Sequence, residues 1–270
     1  MPDVKIGVVG CAGRMGTALV REICGTEGCI LIGGTEWPES PAIGRDIGEL
    51  AGLDPLGYTV TADPALIFKD ADVVLDFTTP DATALHAVLA AETHAALVIG
   101  TTGLEPAHMS ALETAAQTTT IVQAANMSLG VNLLLQLTRQ VAQLLDPEFD
   151  IEIVEMHHRH KIDAPSGTAL ALGNAAAEGR QVDLDRVAVR GRDGTTGERR
   201  KGDIGFAVLR GGNVVGDHTV VFAADNERIE LTHRAADRTI FSRGAVRAAQ
   251  WARGQPPGLY GMSDVLGFND

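Results

Sequence analysis

Aromatic residues and positive charge are both scarce in this chain of 270 residues. Phe, Trp and Tyr make up 4% of the sequence, and the formal net charge is −13. Single-stranded nucleic acids are bound on stacked aromatic side chains, and nucleic acids in general are bound by a basic excess that neutralises phosphates. We therefore expect no nucleic-acid partner.

Cysteine and long apolar runs are also lacking. The chain has three cysteines, Cys11, Cys24 and Cys29, an odd number that cannot all pair in disulfides within one chain. Their spacing matches no zinc-binding pattern, so we expect reduced thiols. No run reaches the roughly 20 apolar residues that cross a bilayer. The N-terminal "MPDVKIGVVG" has no basic segment followed by an apolar one, as a signal peptide would. The sequence predicts a cytoplasmic protein that does not bind membranes.

A glycine-rich turn between a strand and a helix stands near the N-terminus. The apolar run "VKIGVV" at 4–9 predicts a strand, and helical spacing of apolar residues follows it. Three glycines fall in the turn and the first helical turn: Gly10, Gly13 and Gly16. Backbone N–H groups at such a turn hold the pyrophosphate of a dinucleotide. Ala12 replaces the second glycine of the common motif, which narrows the approach without abolishing it.

The next predicted strand, "CILIGGTE", ends at Glu36. An acidic residue about 20 positions past the turn accepts hydrogen bonds from the adenosine ribose, and we prefer this interpretation to a surface glutamate. Trp37 follows, so a 2′-phosphate would meet the Glu36 carboxylate with no adjacent cation. NADH is therefore favoured as cofactor. NADPH remains possible, because Arg14 could reach a phosphate.

Strands and helices alternate through the rest of the first half. Apolar runs at 73–78, 95–103 and 119–128 predict strands, and helices are expected at 81–92 and 105–117. Small or polar residues end these strands: Gly100, Thr101, Thr102, Gly103, Asn126 and Ser128. In a parallel sheet this edge binds ligands, so we prefer contact with the nicotinamide or substrate to an ordinary turn at "GTTG".

The second half has a different pattern. A helix capped by Ser128 is expected to run to about Leu145, before an alternating strand "IEIVEMHH" and a helix at 166–177. Three further strands within 203–235 indicate a mostly antiparallel mixed sheet. A helix at 239–253 and the tail then return to the first domain.

The expected fold is thus an α/β Rossmann-like dinucleotide-binding domain and an α+β domain that binds substrate and forms oligomers. Residues 1–127 and 238–270 form the first, and residues 128–237 the second. Between two strands of the second domain lies "RGRDGTTGERRKGD" at 190–203. We interpret this segment as a solvated mobile loop, and a lid that closes over ligand is the alternative.

The stretch "EMHHRHKIDAPSGTA" at 155–169 concentrates cationic side chains in an acidic protein: His157, His158, Arg159, His160 and Lys161. Successive strand residues point to opposite faces, so they serve one site only if the strand ends within the cluster. Ser166, Gly167 and Thr168 fall at the first turn of the following helix, where N–H groups bind a carboxylate. The combination suits a small dianionic substrate that gains hydride from one side and a proton from the other.

Other uses of this cluster are weaker. In a zinc site, Arg159 and Lys161 would repel the dication, so we expect no metal. A solvated basic patch would not explain the Pro-Ser-Gly-Thr that follows. A phosphate site for the cofactor is already supplied by the first half.

This stretch resembles the signature of the 4-hydroxy-tetrahydrodipicolinate reductase (dihydrodipicolinate reductase) family. The resemblance extends to "GCAGRMG", "DFT", "GTTG", "AANMS", "TGERRKGDIGFAVLRGG" and "VGDHTVVFA". It implies a homotetramer, assembled through the second domain's sheet. It also implies NAD(P)H-dependent reduction of the cyclic imine formed from 4-hydroxy-tetrahydrodipicolinate, giving tetrahydrodipicolinate in lysine and diaminopimelate biosynthesis.

The resemblance also implies roles for individual residues. His157 would donate or accept a proton and Lys161 would donate one, while His158 would touch the substrate. Ser166 joins the substrate residues through its place in the helix turn, and the resemblance adds Gly167 and Thr168 as carboxylate ligands and Thr102 as a further substrate contact. The residues implied to line the cofactor are Gly10, Cys11, Ala12, Gly13, Arg14, Met15, Glu36, Gly100, Thr101, Thr102, Ala124, Ala125, Asn126 and Met127.

Two positions depart from some members of that family, which have arginine where this chain has Trp37 and Thr79. Both departures remove a cation from the adenosine phosphate. The alternatives are a two-domain dehydrogenase for another amino-acid-like dianion, such as an aspartate dehydrogenase, and a non-catalytic NADH sensor. The first would not explain Lys161 together with the Ser-Gly-Thr turn, and the second would be expected to have lost the His157 and Lys161 pair.

Overall fold

The computed structural model describes residues 2–268 of the chain. They fall into two compact units. The first comprises the chain up to Leu129 together with the part from Thr239 onward, and the second is Gly130–Arg238. Each unit has its own hydrophobic core and its own sheet.

The first half alternates strands and helices, as the sequence predicts. Its elements are β1 (Val4–Val9), α1 (Arg14–Gly25), β2 (Cys29–Thr35), α2 (Ile47–Leu50), α3 (Pro64–Asp70), β3 (Val73–Asp76), α4 (Pro80–Thr93), β4 (Ala96–Ile99), α5 (Pro106–Ala115) and β5 (Thr120–Gln123). Only α2 and α3 were not expected. A local signal for α3 was present, because Asp63 caps the helix by accepting from the Ala65 N–H and Pro64 opens it.

The second half begins with a long helix and continues with strands. Its elements are α6 (Leu129–Leu144), β6 (Asp150–His157), α7 (Gly167–Arg180), α8 (Leu184–Val187), β7 (Ala188–Val189), β8 (Ile204–Arg210), β9 (Gly216–Ala223), β10 (Arg228–Ala235), α9 (Thr239–Ala252), β11 (Gly258–Tyr260) and α10 (Met262–Val265). The predicted helices at 166–177 and 239–253 and the three strands within 203–235 are all present.

The first unit contains a six-stranded parallel sheet in the order β11-β5-β4-β3-β1-β2. Strand residues alternate between two apolar cores, one on each face: Val8 and Leu75 face one, and Val74 and Leu97 the other. The chain adds β2 on one side of β1 and β3 on the other, which creates the crevice where such sheets bind ligands. Strand β11 extends the sheet beside β5, so the tail returns to this unit as expected.

The second unit contains a five-stranded mixed sheet in the order β10-β9-β6-β8-β7. The sheet is mixed and mostly antiparallel, as expected, because β9 pairs in antiparallel fashion with both β10 and β6. Strand β6 is antiparallel to β9 and parallel to β8, while β7 is also parallel to β8. Strand β6 lies between β8 and β9, so these two consecutive strands do not form a hairpin. Helix α7 packs Leu172 and Ala176 against the sheet's apolar residues.

None of the helices in residues 2–268 combines the length and the apolar character that a bilayer-crossing segment requires.

Candidate functional site

The glycine-rich turn after β1 has the geometry of a phosphate cradle. Gly10 has φ +68°, which favours glycine, and a Cβ at Gly16 would lie 2.1 Å from the Gly10 carbonyl oxygen. Helix α1 follows with Gly13 as its N-cap residue, and no side chain caps it. The N–H groups of its first turn therefore have no side-chain acceptor, which suits the pyrophosphate of a dinucleotide.

Glu36 lies against this turn. Its Oε1 accepts a hydrogen bond of 2.9 Å from the backbone N–H of Ala12. The carboxylate borders a cavity of about 460 Å³ at the carboxyl ends of β1, β2 and β3. Gly10, Gly13, Glu36, Trp37, Thr78, Thr79 and His86 are among the residues lining it. The cavity joins the phosphate cradle to the acidic residue expected to bind ribose, so the residues present fit a dinucleotide.

Three of the residues predicted to line the cofactor have buried side chains. Cys11 and Met127 lie in the hydrophobic core, and Thr101 is 4% exposed. Burial, with a smaller contribution from the Glu36 carboxylate, raises the pKa of the Cys11 thiol to about 12. Any ligand contact at these positions therefore falls to backbone atoms.

Two groups of predicted cofactor residues follow the carboxyl ends of adjacent strands. Gly100, Thr101 and Thr102 follow β4, and Ala124, Ala125 and Asn126 follow β5. Thr102 is exposed and Asn126 is half-buried, and the Asn126 side chain accepts a bond from the Ser128 N–H. Gly100 must lack a side chain, because a Cβ there would lie 2.0 Å from the Phe77 ring.

A buried polar network beneath this edge was not predicted. Asp76, at the end of β3, accepts from the Thr78 N–H and hydroxyl, and its Oδ2 lies 2.8 Å from His86 Nδ1. Thr101 joins it through Asp76 and Thr83. The sequence did contain a signal for this network, because Asp76 is an ionisable residue at the end of the otherwise apolar strand β3. The network holds His86, at the wall of the cavity, and the turn after β4 in fixed positions.

In the second unit, His157 is the last residue of β6 and is 8% exposed. The strand therefore ends within the cationic cluster, which is the condition under which its side chains can serve one site. His158, Arg159 and His160 follow in a turn. Partial burial, with the nearby cations His160 and Arg238, lowers the pKa of His158.

Glu155 organises the residues around His157. Its Oε2 lies 2.6 Å from His157 Nδ1, and its Oε1 accepts a 3.0 Å bond from the Ser166 N–H. Arg210, at the end of β8, donates to both oxygens at 2.7 and 2.9 Å. Burial opposes ionisation of Glu155, but these donors, led by Arg210, hold its pKa below the usual value. The carboxylate is 1% exposed and fully hydrogen-bonded.

Lys161 is held by a carboxylate as well. Its Nζ donates to both oxygens of Asp163, at 2.7 and 2.9 Å. This bond lowers the pKa of Asp163. His157 and Lys161 are thus two proton-carrying groups four residues apart, each oriented by its own acidic partner.

The N-terminus of α7 lies next in the chain. Ser166 is its N-cap and accepts from the Ala169 N–H at 3.1 Å. Gly167 is exposed and Thr168 is half-buried, so this first turn is accessible to a ligand. A carboxylate is the ligand that such a helix N-terminus favours.

His218 on β9 supports this turn from within. Its Nε2 lies 3.1 Å from the Ser166 hydroxyl oxygen, and its ring meets the His157 ring edge-on at 5.1 Å. Burial, followed by repulsion from His157, lowers the pKa of His218 to about 4. His218 is therefore neutral at pH 7.

Two further expectations concern metals and the 190–203 segment. Among residues 2–268, no group of three or more His, Cys, Asp or Glu side chains is arranged to hold a metal ion. In the segment, Arg192 and Arg199 both donate to Glu152 on β6, at 2.9 Å. These ion pairs attach the segment to the sheet at two points.

Two family models together cover nearly the whole chain. The model described as "Dihydrodipicolinate reductase, N-terminus" matches residues 4–127, and the one described as "Dihydrodipicolinate reductase, C-terminus" matches residues 130–266. This chain belongs to the dihydrodipicolinate reductase family. The C-terminal match extends past the second unit into α9, β11 and α10, which complete the first.

Full-length relatives agree with this membership. A 4-hydroxy-tetrahydrodipicolinate reductase of Parvibaculum lavamentivorans is 60% identical over 267 residues, covering 98% of each chain. One from Rhodopseudomonas palustris (strain TIE-1) is 53% identical over 270 residues, covering 100% of both.

Among solved structures, the dipicolinate-bound dihydrodipicolinate reductase of Paenisporosarcina sp. TG-14 has a TM-score of 0.77 at 23% identity, covering 97% of this chain and 99% of that one. The C. glutamicum DAP dehydrogenase in complex with DAP has a TM-score of 0.56 at 13% identity, covering 99% of this chain and 94% of that one. At these identities the two structures support the fold.

Family membership decides the activity. The reductase acts in lysine and diaminopimelate biosynthesis, reducing a small substrate, 4-hydroxy-tetrahydrodipicolinate, with a nicotinamide dinucleotide. It is an enzyme, so the non-catalytic sensor and the dehydrogenase for a different dianion are both excluded.

Proposed function

We propose that the first unit binds the dinucleotide, with NADH preferred, and that the second binds and protonates the substrate. The observation that carries this division is the set of proton-carrying residues, His157 and Lys161, placed immediately before an accessible helix N-terminus. The phosphate cradle and Glu36 belong to the first unit. The family model boundaries near residue 128 support the same division.

The substrate's carboxylates are proposed to bind the cationic turn and the α7 N-terminus. Gly167 and Thr168 offer N–H groups at the first helical turn, and Ser166 shapes that turn as the N-cap. His158 lies on the same turn as Lys161 and would contact the ring. The related structure from Paenisporosarcina was solved with dipicolinate, a planar dicarboxylate, which supports a dianionic ligand here.

Proton transfer is proposed to rest on His157 and Lys161. Reduction of a C=N bond adds hydride at carbon and a proton at nitrogen, so a donor must stand beside the nitrogen. Asp163 orients the Lys161 ammonium group, and Glu155 orients the His157 ring.

The bound dinucleotide supplies the hydride. The glycine-rich turn is proposed to hold its pyrophosphate and Glu36 its ribose hydroxyls, while the residues after β4 and β5 line its nicotinamide half. The NADH preference rests on the Glu36 carboxylate and on Trp37, which is 58% exposed at the cavity and carries no charge. Arg45 lines an adjoining cavity together with Glu36 and Trp37. Its positive charge could bind a 2′-phosphate there, so the proposal includes weaker use of NADPH.

The test of these roles is steady-state turnover of His157→Gln and Lys161→Met with NADH. Each variant should lose at least about 100-fold in kcat, the contribution of general acid–base catalysis. The dissociation constant for NADH should stay within about twofold. His94→Asn and Lys69→Met, which change exposed residues of the first unit, are the matched controls and should retain full turnover. Turnover that survives both active-site substitutions would contradict the assignment.

We also propose a cytoplasmic homotetramer, as the family resemblance implies. Light scattering coupled to size exclusion should give about four times the mass of one chain. A monomer at micromolar concentration with full activity would overturn this proposal.

A further inference from the structure

Glu155 has no role in the family assignment set out above, yet it is the most completely bonded carboxylate in this region. It is 1% exposed and accepts from three residues: His157, Arg210 and Ser166. A buried carboxylate costs several kcal/mol of desolvation unless such donors offset it. A carboxylate buried among these donors therefore calls for a structural or functional explanation.

We propose that Glu155 is a positioning residue of the reductase, which fixes the ring tautomer of His157 and, through Ser166, the helix end that binds the substrate carboxylate. The proposal rests on the proposed catalytic role of His157. The new element is that one buried carboxylate, Glu155, fixes the position of His157 relative to the helix end that binds the substrate carboxylate.

The tautomer follows from donor and acceptor chemistry. An ionised carboxylate only accepts hydrogen bonds, so the proton between Glu155 Oε2 and His157 must reside on Nδ1. The other ring nitrogen, Nε2, is left to exchange a proton with a ligand. Gly216 preserves space beside it, because a Cβ there would lie 3.0 Å from His157 Nε2.

Arg210 keeps Glu155 ionised and extends the arrangement to Lys161. Its two terminal nitrogens bind the two carboxylate oxygens, and Nη2 also donates to the Asp163 carbonyl at 2.7 Å. Asp163 in turn holds Lys161. The Glu155–Arg210 pair therefore touches all three parts of the site: His157, the Lys161 turn and the start of α7.

The first test is a measurement on the unaltered protein. Nitrogen-15 NMR of histidine-labelled protein reports which ring nitrogen carries the proton, and the His157 signal is identified by its loss in His157→Gln. We expect neutral His157 to be protonated at Nδ1. Protonation at Nε2 in the unaltered protein would overturn the proposal, and this reading stands whether or not His157 proves to be catalytic.

The second test is Glu155→Gln, which keeps the shape but removes the charge. The amide no longer requires the proton on Nδ1, so a second His157 tautomer should appear. We expect kcat to fall about 10- to 100-fold, as is common when an orienting partner of a functional histidine is lost. The dissociation constant for NADH should be unchanged, because the dinucleotide is assigned to the other unit.

A merely structural role would not move the pH profile of kcat. Glu155→Gln should change this profile, because it removes the buried negative charge that contacts His157 and Arg210. The other titratable or charged groups near His157 include Arg210, His218, His158, His160 and Lys161. Among them, Arg210 also binds Glu155 and loses its carboxylate partner in this variant.

Glu152→Gln is the matched control. Glu152 lies on the same strand and also accepts hydrogen bonds from arginine, here Arg192 and Arg199. Within residues 2–268 no histidine donates to it. It should leave the pH profile in place. Equal shifts in both variants, or none in Glu155→Gln, would contradict the proposal. If Glu155→Gln does not fold, the His157 tautomer measured by NMR in the unaltered protein is sufficient to support or contradict the proposal.

Discussion

At the level of single residues, one arrangement recurs within residues 2–268. A carboxylate binds a group at a proposed ligand site: Glu155 with His157, Asp163 with Lys161, and Asp76 with His86. Side chains held in this way do not have to be ordered when a ligand arrives, so less binding free energy is lost. The short spacing of the first two pairs, two residues each, places them in one segment of sequence.

Asp163→Asn tests the orientation of Lys161. The pair is partly exposed, and such pairs contribute up to about 1 kcal/mol. We expect kcat to fall about three- to tenfold with no change in NADH affinity, as measured by steady-state kinetics and fluorescence titration. Asp185→Asn, at another exposed ion pair, is the control. A loss as large as that of Lys161→Met would show that Asp163 itself contacts the reacting groups.

Trp37→Arg tests the origin of cofactor preference. An arginine next to Glu36 would offer a bidentate partner to a 2′-phosphate. We expect kcat/KM with NADPH to rise at least about tenfold, while that with NADH changes less than threefold. Trp37→Leu, which removes the ring without adding charge, is the comparison. An equal gain in both variants would show that the bulk of Trp37, not the missing cation, limits NADPH.

At the level of elements, the turn after β1 depends on close packing of backbone atoms. A Cβ at Gly16 would lie 2.1 Å from the Gly10 carbonyl oxygen and 2.6 Å from Cys11 backbone atoms. Gly16→Ala should therefore displace the turn and weaken NADH binding more than about tenfold, as measured by titration calorimetry. Gly25 lies at the other end of α1, where an added Cβ would meet no atom within 4 Å. The Gly25→Ala variant should therefore bind NADH normally. Its stability should change by less than about 1 kcal/mol.

The elements show where local sequence is sufficient. The period of apolar residues predicts β1 and β6 to within one or two positions, and it predicts that a helix follows β1, because each of these elements buries one face or stripe by itself. The sheet of the second unit was harder, since β6 enters between two strands that follow it by about 50 residues or more. The order of strands in a sheet depends on pairing between distant segments, and local periodicity carries no information about that pairing.

At the level of the whole molecule, the buried His218 makes stability depend on pH. Its pKa is about 4 in the folded protein and near 6.5 when unfolded, so the unfolded chain binds the extra proton between these values. Stability should thus be complete above about pH 6.5 and fall as the pH drops toward 4, by up to about 3 kcal/mol from this group. Urea unfolding of the complete protein at a series of pH values measures it.

His218→Gln should flatten that dependence between pH 6.5 and 4, whereas His94→Asn should not. Below about pH 4.5 a separate loss is expected in both, because Glu152, Glu155 and Asp163 have lowered pKa values and their ion pairs disappear as they are protonated. A His218→Gln protein with the unaltered slope between pH 6.5 and 4 would assign the dependence to other groups.

The sequence by itself determined the strand–helix alternation, the glycine-rich turn with Glu36, and the clustering of His157, Lys161 and the α7 cap, because each of these is encoded by neighbours in the chain. The tertiary structure alone decided that Arg210 meets Glu155 across 55 positions and that His218 meets Ser166 across 52. Such contacts depend on which strands pair and in which register, and only burial of the whole sheet selects that pairing. The residues proposed to carry protons could therefore be named from the sequence, whereas the contacts of Arg210 and His218 that hold this region in place could not.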